Sequence, residues 1–313
     1  MKGTGMARFE KTTLESPSGA TLNLRSMLPD GASAVVQVHH GMGEHSARYA
    51  RFAQALSGAG YAVYVQDLRG HGATIAPDAP LGVLAASGGF EVLAADALAV
   101  NDHIRSAHPG LPVVVFGHSM GSILSLYFAM KHPDRMDALA CWNSGVDGGA
   151  LVAISGLILG TERLFRGANA PSKIAMALTF DTWNKAFKPN RTAFDWLSRD
   201  DAEVDLYVAD PLCGFAASTG LWLDLLGAVK FGGDDQNLAR LPKGLPVHLL
   251  GGGDDPCSDK GRAMQRLAAR MVKVGMQDVT AVVLPKTRHE SLNEVNRDQT
   301  TQDFLNWLKA HLK

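Results

Sequence analysis

The sequence has few charged side chains and no block of basic residues. Charged residues make up 19% of its 313 residues, and 30 Lys plus Arg balance 31 Asp plus Glu, so the formal net charge is -1. A near-neutral chain without a Lys/Arg cluster has no electrostatic basis for binding nucleic acid, and we predict no nucleic-acid partner. Its hydrophobic content of 46% is that of a globular protein and excludes a disordered chain.

Cysteine is scarce as well. Cys141, Cys213 and Cys257 are an odd number and lack the spacing of a metal site, which excludes a disulfide-rich scaffold. This usage is typical of a reducing compartment, so we predict a cytoplasmic location. No G-x-G-x-x-G pattern follows Gly41 and Gly43, and we expect neither a metal nor a dinucleotide or other cofactor.

No apolar run is long enough to cross a membrane. The longest, 151–159, is interrupted by Ser155 and Gly156, and Met1 to Glu10 has too few apolar residues for a signal peptide. We therefore predict a soluble protein. The apolar residues of 151–159 could make transient contact with a membrane or lipid surface, although packing inside the protein would explain them equally well. The oligomeric state does not follow from the sequence.

Apolar strand patterns alternate with helical patterns over most of the chain. Two short strands lie within 8–28 on either side of a turn, and other strands are predicted at 34–38, 61–65, 112–116, 138–142, 246–250 and 279–284. Helical periodicity is found at 47–59, 90–107, 259–274 and 298–312, and directly after Gly121. Strands that are apolar throughout and alternate with helices predict the α/β class, with a mostly parallel sheet covered by helices on both faces.

The alternation stops between Trp142 and Pro246. This stretch contains helix-like pieces rich in aromatic residues, at 151–164, 172–187, 192–198 and 216–230. It is too long to be a loop between two strands. We therefore predict a core made of 1–145 and 242–313, interrupted by a helical cap at 146–241.

The sequence Gly117-His118-Ser119-Met120-Gly121 lies between a predicted strand and a predicted helix. This is the G-x-S-x-G pattern in the context of a nucleophile elbow. The glycines let the chain pass closely through a sharp turn, which holds the serine in a strained conformation with Oγ exposed at the sheet edge. A strand-to-helix turn with a capping serine would give the same pattern. The choice between the two interpretations therefore depends on residues in other loops.

A base and an acid are needed beside the candidate nucleophile Ser119. Among eleven histidines, His289 lies in the loop after the last strand, and we predict it as the base. His118 is expected to point away from the reaction site. Neighbouring Asp254 and Asp255 point in different directions, so only one can face His289; we favour Asp255, with Asp254 as a turn residue. The order Ser, Asp, His along the chain fits an α/β hydrolase.

Two backbone amides should bind the oxyanion. One is expected from Met120, directly after the nucleophile, and the other from Met42 in the loop His40-Gly41-Met42-Gly43, where the glycines let the backbone approach a substrate. An ordinary glycine-rich turn with incidental histidines is the alternative for this loop.

The sequence resembles the monoacylglycerol lipase and lysophospholipase branch of the α/β-hydrolases, which is also grouped with serine aminopeptidase S33-type sequences. The resemblance rests on 40–45 followed by Arg48 and Tyr49, on 67–72 and on 117–121. It implies an α/β-hydrolase fold with an inserted cap, the triad Ser119, Asp255 and His289, and oxyanion donors Met42 and Met120. The sequence departs from the family at Ser122, where Gly is frequent, and at 73–77.

We therefore expect a cofactor-free serine hydrolase of carboxylic esters, acting through an acyl-enzyme on Ser119. The resemblance implies a small hydrophobic ester substrate, such as a monoacylglycerol or lysophospholipid. Hydrolysis of amides or peptides, or acyl transfer, would use the same residues. A non-catalytic receptor with this fold is a further alternative, and the complete set of reactive residues argues against it.

Overall fold

The computed structural model describes residues 9–147 and 149–312, except for the side chain of Leu151. Most of Met1 to Glu10, where we predicted no signal peptide, therefore lies outside the described residues. A single sheet of eight strands forms the centre, in the order β1-β2-β4-β3-β5-β6-β7-β8. The strands are β1 (Glu10–Glu15), β2 (Thr21–Met27), β3 (Ala34–His39), β4 (Tyr61–Gln66), β5 (Val113–His118), β6 (Ala138–Trp142), β7 (Val247–Gly252) and β8 (Val279–Leu284).

The sheet is mostly parallel. β1 pairs with β2 and β2 with β4 in antiparallel fashion, whereas all pairs from β4 through β3 to β8 are parallel. Every residue of β3 to β7 is buried, which explains why their sequences are largely apolar. The predicted α/β class with a mostly parallel sheet is confirmed.

Helices lie on both faces of this sheet. In chain order the described helices are α1 (Ala50–Gly58), α2 (Gly89–Ala107), α3 (Met120–Lys131), α4 (Ala150–Arg166), α5 (Lys173–Leu178), α6 (Phe180–Lys185), α7 (Asp201–Ala209), α8 (Thr219–Gly232), α9 (Asp235–Leu238), α10 (Arg262–Lys273) and α11 (Arg297–His311). One face is covered by α1 and α11, where Phe52, Phe116, Trp142 and Phe304 form an aromatic cluster. The other is covered by α2, α3 and α10, and α8 packs on α3.

Helices α4 to α9 all lie between β6 and β7, in the stretch where we predicted helix-like pieces. The prediction of a helix at 192–198 was wrong: the backbone forms turns there because the amides of Arg191 and Thr192 bind the Asp195 carboxylate. The helix α7 follows instead, and the Asp200 side chain accepts a hydrogen bond from the Ala202 amide at its start. The division into a core and a cap at 146–241 stays a prediction.

No helix in the described part of the chain combines the length and apolarity needed to span a bilayer. The cytoplasmic location stays a prediction.

Candidate active site

Ser119 lies at the sharp turn between β5 and α3. Its backbone has φ 54° and ψ -121°, a strained conformation for a residue with a side chain. Gly117 and Gly121 make the turn possible: a Cβ on Gly117 would collide with the Gly121 carbonyl, and one on Gly121 with the carbonyl of His39 on β3. Only glycine fits at either position. Ser119 lies at the carboxyl end of β5, and its side chain is only partly buried.

Three side chains from three loops meet at this edge. Ser119 Oγ lies 2.9 Å from His289 Nε2, in the loop after β8, and His289 Nδ1 lies 3.0 Å from Asp255 Oδ1, in the loop after β7. The parallel strands bring these loops together because their carboxyl ends share one edge. The exposed Asp254 takes no part, and its amide binds the carbonyl of Thr287.

The Asp255 carboxylate is fully buried and held by several donors. Its Oδ1 also accepts a hydrogen bond from the Cys257 amide at 2.9 Å, and its Oδ2 accepts one from Ser258 Oγ at 2.7 Å. Burial alone would raise the pKa of this carboxyl, but the neighbouring His289 and these hydrogen bonds hold the pKa below its usual value. Asp255 is therefore ionised at neutral pH and can keep the proton of His289 on Nδ1.

Met42 and Met120 place their backbone amides near Ser119. Met120 is the first residue of α3, and neither amide donates a hydrogen bond to another residue of the described ranges. The loop of Met42 lies against the serine, since a Cβ on Gly41 would be 3.3 Å from Ser119 Cβ. Gly43 has φ +69°, which favours glycine. The side chains of Met42 and Met120 line the cavity above Ser119.

His118 does not point away from the site, and that expectation was wrong. Its ring lies 4.9 Å from the ring of His289 and lines the same cavity. The positive φ of Ser119 reorients the chain, so the alternation of side chains along a strand does not continue through the turn. Desolvation, with a smaller effect of His289, lowers the pKa of His118 to about 4, so this neighbour is neutral above that pH.

Sequence reasoning missed a buried ionic network beside the site. The Glu44 carboxylate accepts hydrogen bonds from the Gly41 amide at 2.6 Å, from Tyr49 and from Arg48, whose guanidinium also forms a bidentate pair with Glu290. Burial alone would raise the pKa of Glu44, but Arg48 and other partners lower it to about 2. The four-residue spacing of Glu44 and Arg48 was visible in the sequence, whereas nothing there connected either to Glu290.

A cavity of about 180 Å³ opens above Ser119. One wall is polar and carries Glu44, Tyr207 and Glu290, and the other is aromatic and aliphatic, lined by Phe180, Trp183, Trp196, Trp222, Leu225 and Val229. The Trp196 ring lies 4.7 Å from the His289 ring, and the amides of His289 and Glu290 bind the carbonyls of Trp196 and Leu197. The segment between β6 and β7 therefore holds the loop of the candidate base as well as roofing the cavity.

One group in the described chain could offer three ligand atoms to a metal ion. These atoms belong to His45, Asp210 and Cys213 and lie within 4.8 Å of one another. His45 Nε2 and Asp210 Oδ2 already form a hydrogen bond of 2.8 Å. None of the three lines the cavity above Ser119, so we assign this group no part in the chemistry there.

Residues 30–296 match the family model described as serine aminopeptidase, S33. The chain is 29% identical over 301 residues to the monoglyceride lipase of Mus musculus, covering 90% of this chain and 88% of the relative. It is 27% identical over 288 residues to the monoacylglycerol lipase of Mycolicibacterium smegmatis, covering 89% of each.

A crystal structure with the same fold is the thermostable carboxyl esterase of Bacillus coagulans, solved in complex with glycerol. It superimposes with a TM-score of 0.87 at 22% identity, covering 99% of this chain and 100% of the esterase. This likeness shows the α/β-hydrolase fold.

Proposed function

The chain belongs to the serine aminopeptidase S33 family of α/β-hydrolases and is a carboxylic-ester hydrolase, and on this premise we propose that it cleaves monoacylglycerol-like lipid esters through an acyl-enzyme on Ser119. The observation that carries the mechanism is the chain of contacts from Ser119 Oγ through His289 to Asp255, at 2.9 Å and 3.0 Å. Nucleophile, base and orienting carboxylate lie in hydrogen-bond reach of one another, as acyl transfer requires.

In the first step, His289 Nε2 takes the proton of Ser119 as Oγ attacks the ester carbonyl. Asp255, ionised and bonded to Nδ1, keeps the imidazole in the tautomer that leaves Nε2 free to accept. Negative charge develops on the carbonyl oxygen and is bound by the amides of Met42 and Met120, which have no acceptor among the described residues. The imidazolium then gives its proton to the departing alcohol.

In the second step, water enters where the alcohol left. His289 removes a proton from this water, which attacks the acyl carbon, and the proton passes to Ser119 Oγ as the acid is released. The same two amides bind the second oxyanion. No cofactor takes part in these steps.

The substrate class rests on the relatives and on the cavity. Relatives that align along about nine-tenths of this chain and of their own length are monoglyceride and monoacylglycerol lipases. The long apolar wall of the cavity suits an acyl group. The cavity's polar edge at Glu44, Tyr207 and Glu290 suits an alcohol that carries hydroxyl groups.

The central experiment compares wild type with Ser119→Ala on a chain-length series of monoacylglycerols and p-nitrophenyl esters. We expect hydrolysis by wild type, a loss of about 10⁴-fold or more in kcat for the variant, and labelling of wild type alone by a fluorophosphonate. Near-normal turnover by Ser119→Ala would overturn the mechanism. Faster cleavage of aminoacyl anilides than of matched esters would instead favour an amidase or peptidase. Absence of both labelling and turnover would favour a non-catalytic receptor.

We also propose that α4 touches a lipid surface. Apolar residues recur on one side of this helix and are exposed to solvent: Ile154 is 54% exposed, Leu157 73%, Leu164 84% and Phe165 85%. Leu157 is three residues after Ile154, seven before Leu164 and eight before Phe165, which places all four on one face, as is typical of a helix lying in a membrane interface.

A further inference from the structure

Two tryptophans in the aromatic wall of the cavity have unused hydrogen-bond donors. Trp196 and Trp222 are 2% and 6% exposed, and both line the cavity above Ser119. The indole Nε1–H of each is buried, and neither has an acceptor among the residues of the described ranges. Trp183 lines the same cavity without sharing this feature, since it is only partly buried and its Nε1 is not among the buried unpaired atoms.

Such donors are rare inside proteins. The indole nitrogen can only donate, and a buried donor without a partner costs free energy comparable to a lost hydrogen bond, which is why most buried polar groups are paired. Trp142 follows the rule in this same chain, because its Nε1–H donates to His248 Nδ1 at 3.0 Å. Seven other buried polar atoms of the described residues also have no partner, but Trp196 and Trp222 are the ones among these residues that line the cavity above Ser119, where a ligand can supply the acceptors.

The chemistry of the donors restricts this ligand. A cluster of aromatic rings can bind a quaternary ammonium group by cation–π contacts, but a cation cannot accept a hydrogen bond. A plain alkyl chain would fill the space and leave both donors unpaired. An ether, carbonyl or hydroxyl oxygen meets the donors and packs against the rings.

The two tryptophans also indicate which part of the substrate bears the oxygen. Ring contacts lead from His289 to Trp196 at 4.7 Å, then to Phe180 at 5.1 Å and to Trp222 at 6.0 Å. Beyond Trp222 the wall continues as the aliphatic side chains Leu225 and Val229 on the same helix, α8. The polar edge that suits the alcohol lies elsewhere in the cavity, so this aromatic wall suits the acyl group.

We propose that the preferred acyl group carries an oxygen acceptor, which receives a hydrogen bond from Trp222 Nε1, and that a second acceptor nearer the ester can bind Trp196. The inference rests on the proposed function, because it assumes that an ester is bound with its carbonyl at Ser119. It makes Trp222 a specificity-determining residue that distinguishes oxygenated acyl chains from purely alkyl ones of the same length.

The test uses pairs of esters that differ in one atom. p-Nitrophenyl 5-methoxypentanoate is compared with p-nitrophenyl heptanoate, and p-nitrophenyl 3-(4-methoxyphenyl)propanoate with the 4-ethylphenyl analogue; in each pair a CH₂ replaces the ether oxygen. For wild type, Trp222→Phe, Trp196→Phe and Trp183→Phe, kcat/KM is measured for both members of each pair. The quantity of interest is the ratio of kcat/KM for the oxygenated ester to that for the alkyl ester.

We expect this ratio to fall about threefold to tenfold in Trp222→Phe in at least one pair, the effect of one neutral hydrogen bond, and to be unchanged in Trp183→Phe. Phenylalanine keeps an aromatic ring in the cavity but removes the donor and some ring volume; the lost volume affects both esters of a pair alike, whereas the lost donor affects only the oxygenated one. An unchanged ratio in Trp222→Phe, or an equal fall in Trp183→Phe, would overturn the proposal.

Two further measurements establish where the acceptor lies and whether each variant folds. Hexanoate esters of 2-methoxyethanol and butanol are compared by titration of the released acid. If Trp222→Phe lowers the kcat/KM ratio of oxygenated to alkyl ester for this pair alone, the acceptor lies in the alcohol, and the acyl assignment is overturned. Thermal unfolding of each variant shows whether it folds. Failure of wild type to cleave any ester would count against the proposed function instead, so the two failures are distinguishable.

Discussion

The guanidinium of Arg48 lies 2.5 Å and 2.7 Å from the two carboxylate oxygens of Glu290, the residue directly after the proposed base. The same guanidinium lies 2.8 Å from Glu44, whose other oxygen binds the amide of Gly41. One buried cation therefore connects the loop of the proposed oxyanion donor with the loop of the proposed base. A change at Arg48 should affect both stability and turnover.

Arg48→Ala is expected to lower the free energy of unfolding by about 3–5 kcal/mol, because it leaves two buried carboxylates unpaired. Arg48→Lys should lose less, since a lysine retains the charge but cannot form the bidentate pair. Both variants should also have a reduced kcat. Denaturant unfolding and kinetics on one p-nitrophenyl ester measure the two effects.

The matched control for Arg48 is Arg51, which pairs with Glu203 while its side chain is 44% exposed. Arg51→Ala should cost no more than about 1 kcal/mol, as exposed ion pairs generally do. Equal losses at Arg48 and Arg51 would contradict a special role for the buried network.

Asp255→Asn tests the proposed orienting carboxylate. An amide at this position can donate to His289 Nδ1 and stabilise the wrong tautomer, so we expect kcat to fall by about 10⁴-fold with a folded protein. Asp254→Asn, at the exposed neighbouring position, should retain most of its activity. Kinetics on the two variants decide between the residues, and the opposite ranking would assign the role to Asp254.

Gly121→Ala tests the space behind the elbow. The added methyl would collide with the carbonyl of His39, so the turn must shift, and we expect loss of activity together with destabilisation of several kcal/mol. Gly160→Ala is the control, because Gly160 lies within α4 and a Cβ there meets no atom within 4 Å. Alanine should stabilise that helix by about 0.5–1 kcal/mol. Thermal unfolding and esterase assays would reveal whether the two glycines differ as expected.

The sequence predicted the sheet and the candidate site because both depend on local signals. The central strands are mostly apolar, and the reactive residues follow strand ends, so parallel topology brings them to one edge. It failed where single hydrogen bonds, an unusual backbone conformation or a long-range contact decide the structure. The turns at 192–198 depend on the position of Asp195, and the orientation of His118 depends on the positive φ of Ser119. Glu290 meets Arg48 across 242 residues of chain, a pairing without a local pattern.

Buried histidines should make the protein lose stability as the pH falls, beginning at pH values well above the pKa values of its carboxylates. Burial lowers the pKa of His248 to about 3, whereas the unfolded chain has its ordinary value near 6.5. The unfolded state therefore binds more protons, and stability, full above pH 6.5, falls as the pH decreases toward 3. His248→Gln should reduce this slope by up to about 1.4 kcal/mol per pH unit, measured by urea unfolding between pH 7 and pH 4. The exposed His103→Gln variant should follow the wild-type profile.

The exposed face of α4 gives the last prediction. If this face enters a lipid interface, Leu157→Asp combined with Phe165→Asp should reduce sedimentation with phosphatidylcholine vesicles at least tenfold, because burial of each side chain contributes about 1.5–3 kcal/mol. Hydrolysis of a water-soluble p-nitrophenyl ester should change little, since neither residue lines the cavity. Val272→Asp is the control, because Val272 on α10 is also exposed, at 59%, but lies outside the face. Equal losses from both sets of changes, or a wild type that stays in the supernatant, would exclude docking through α4.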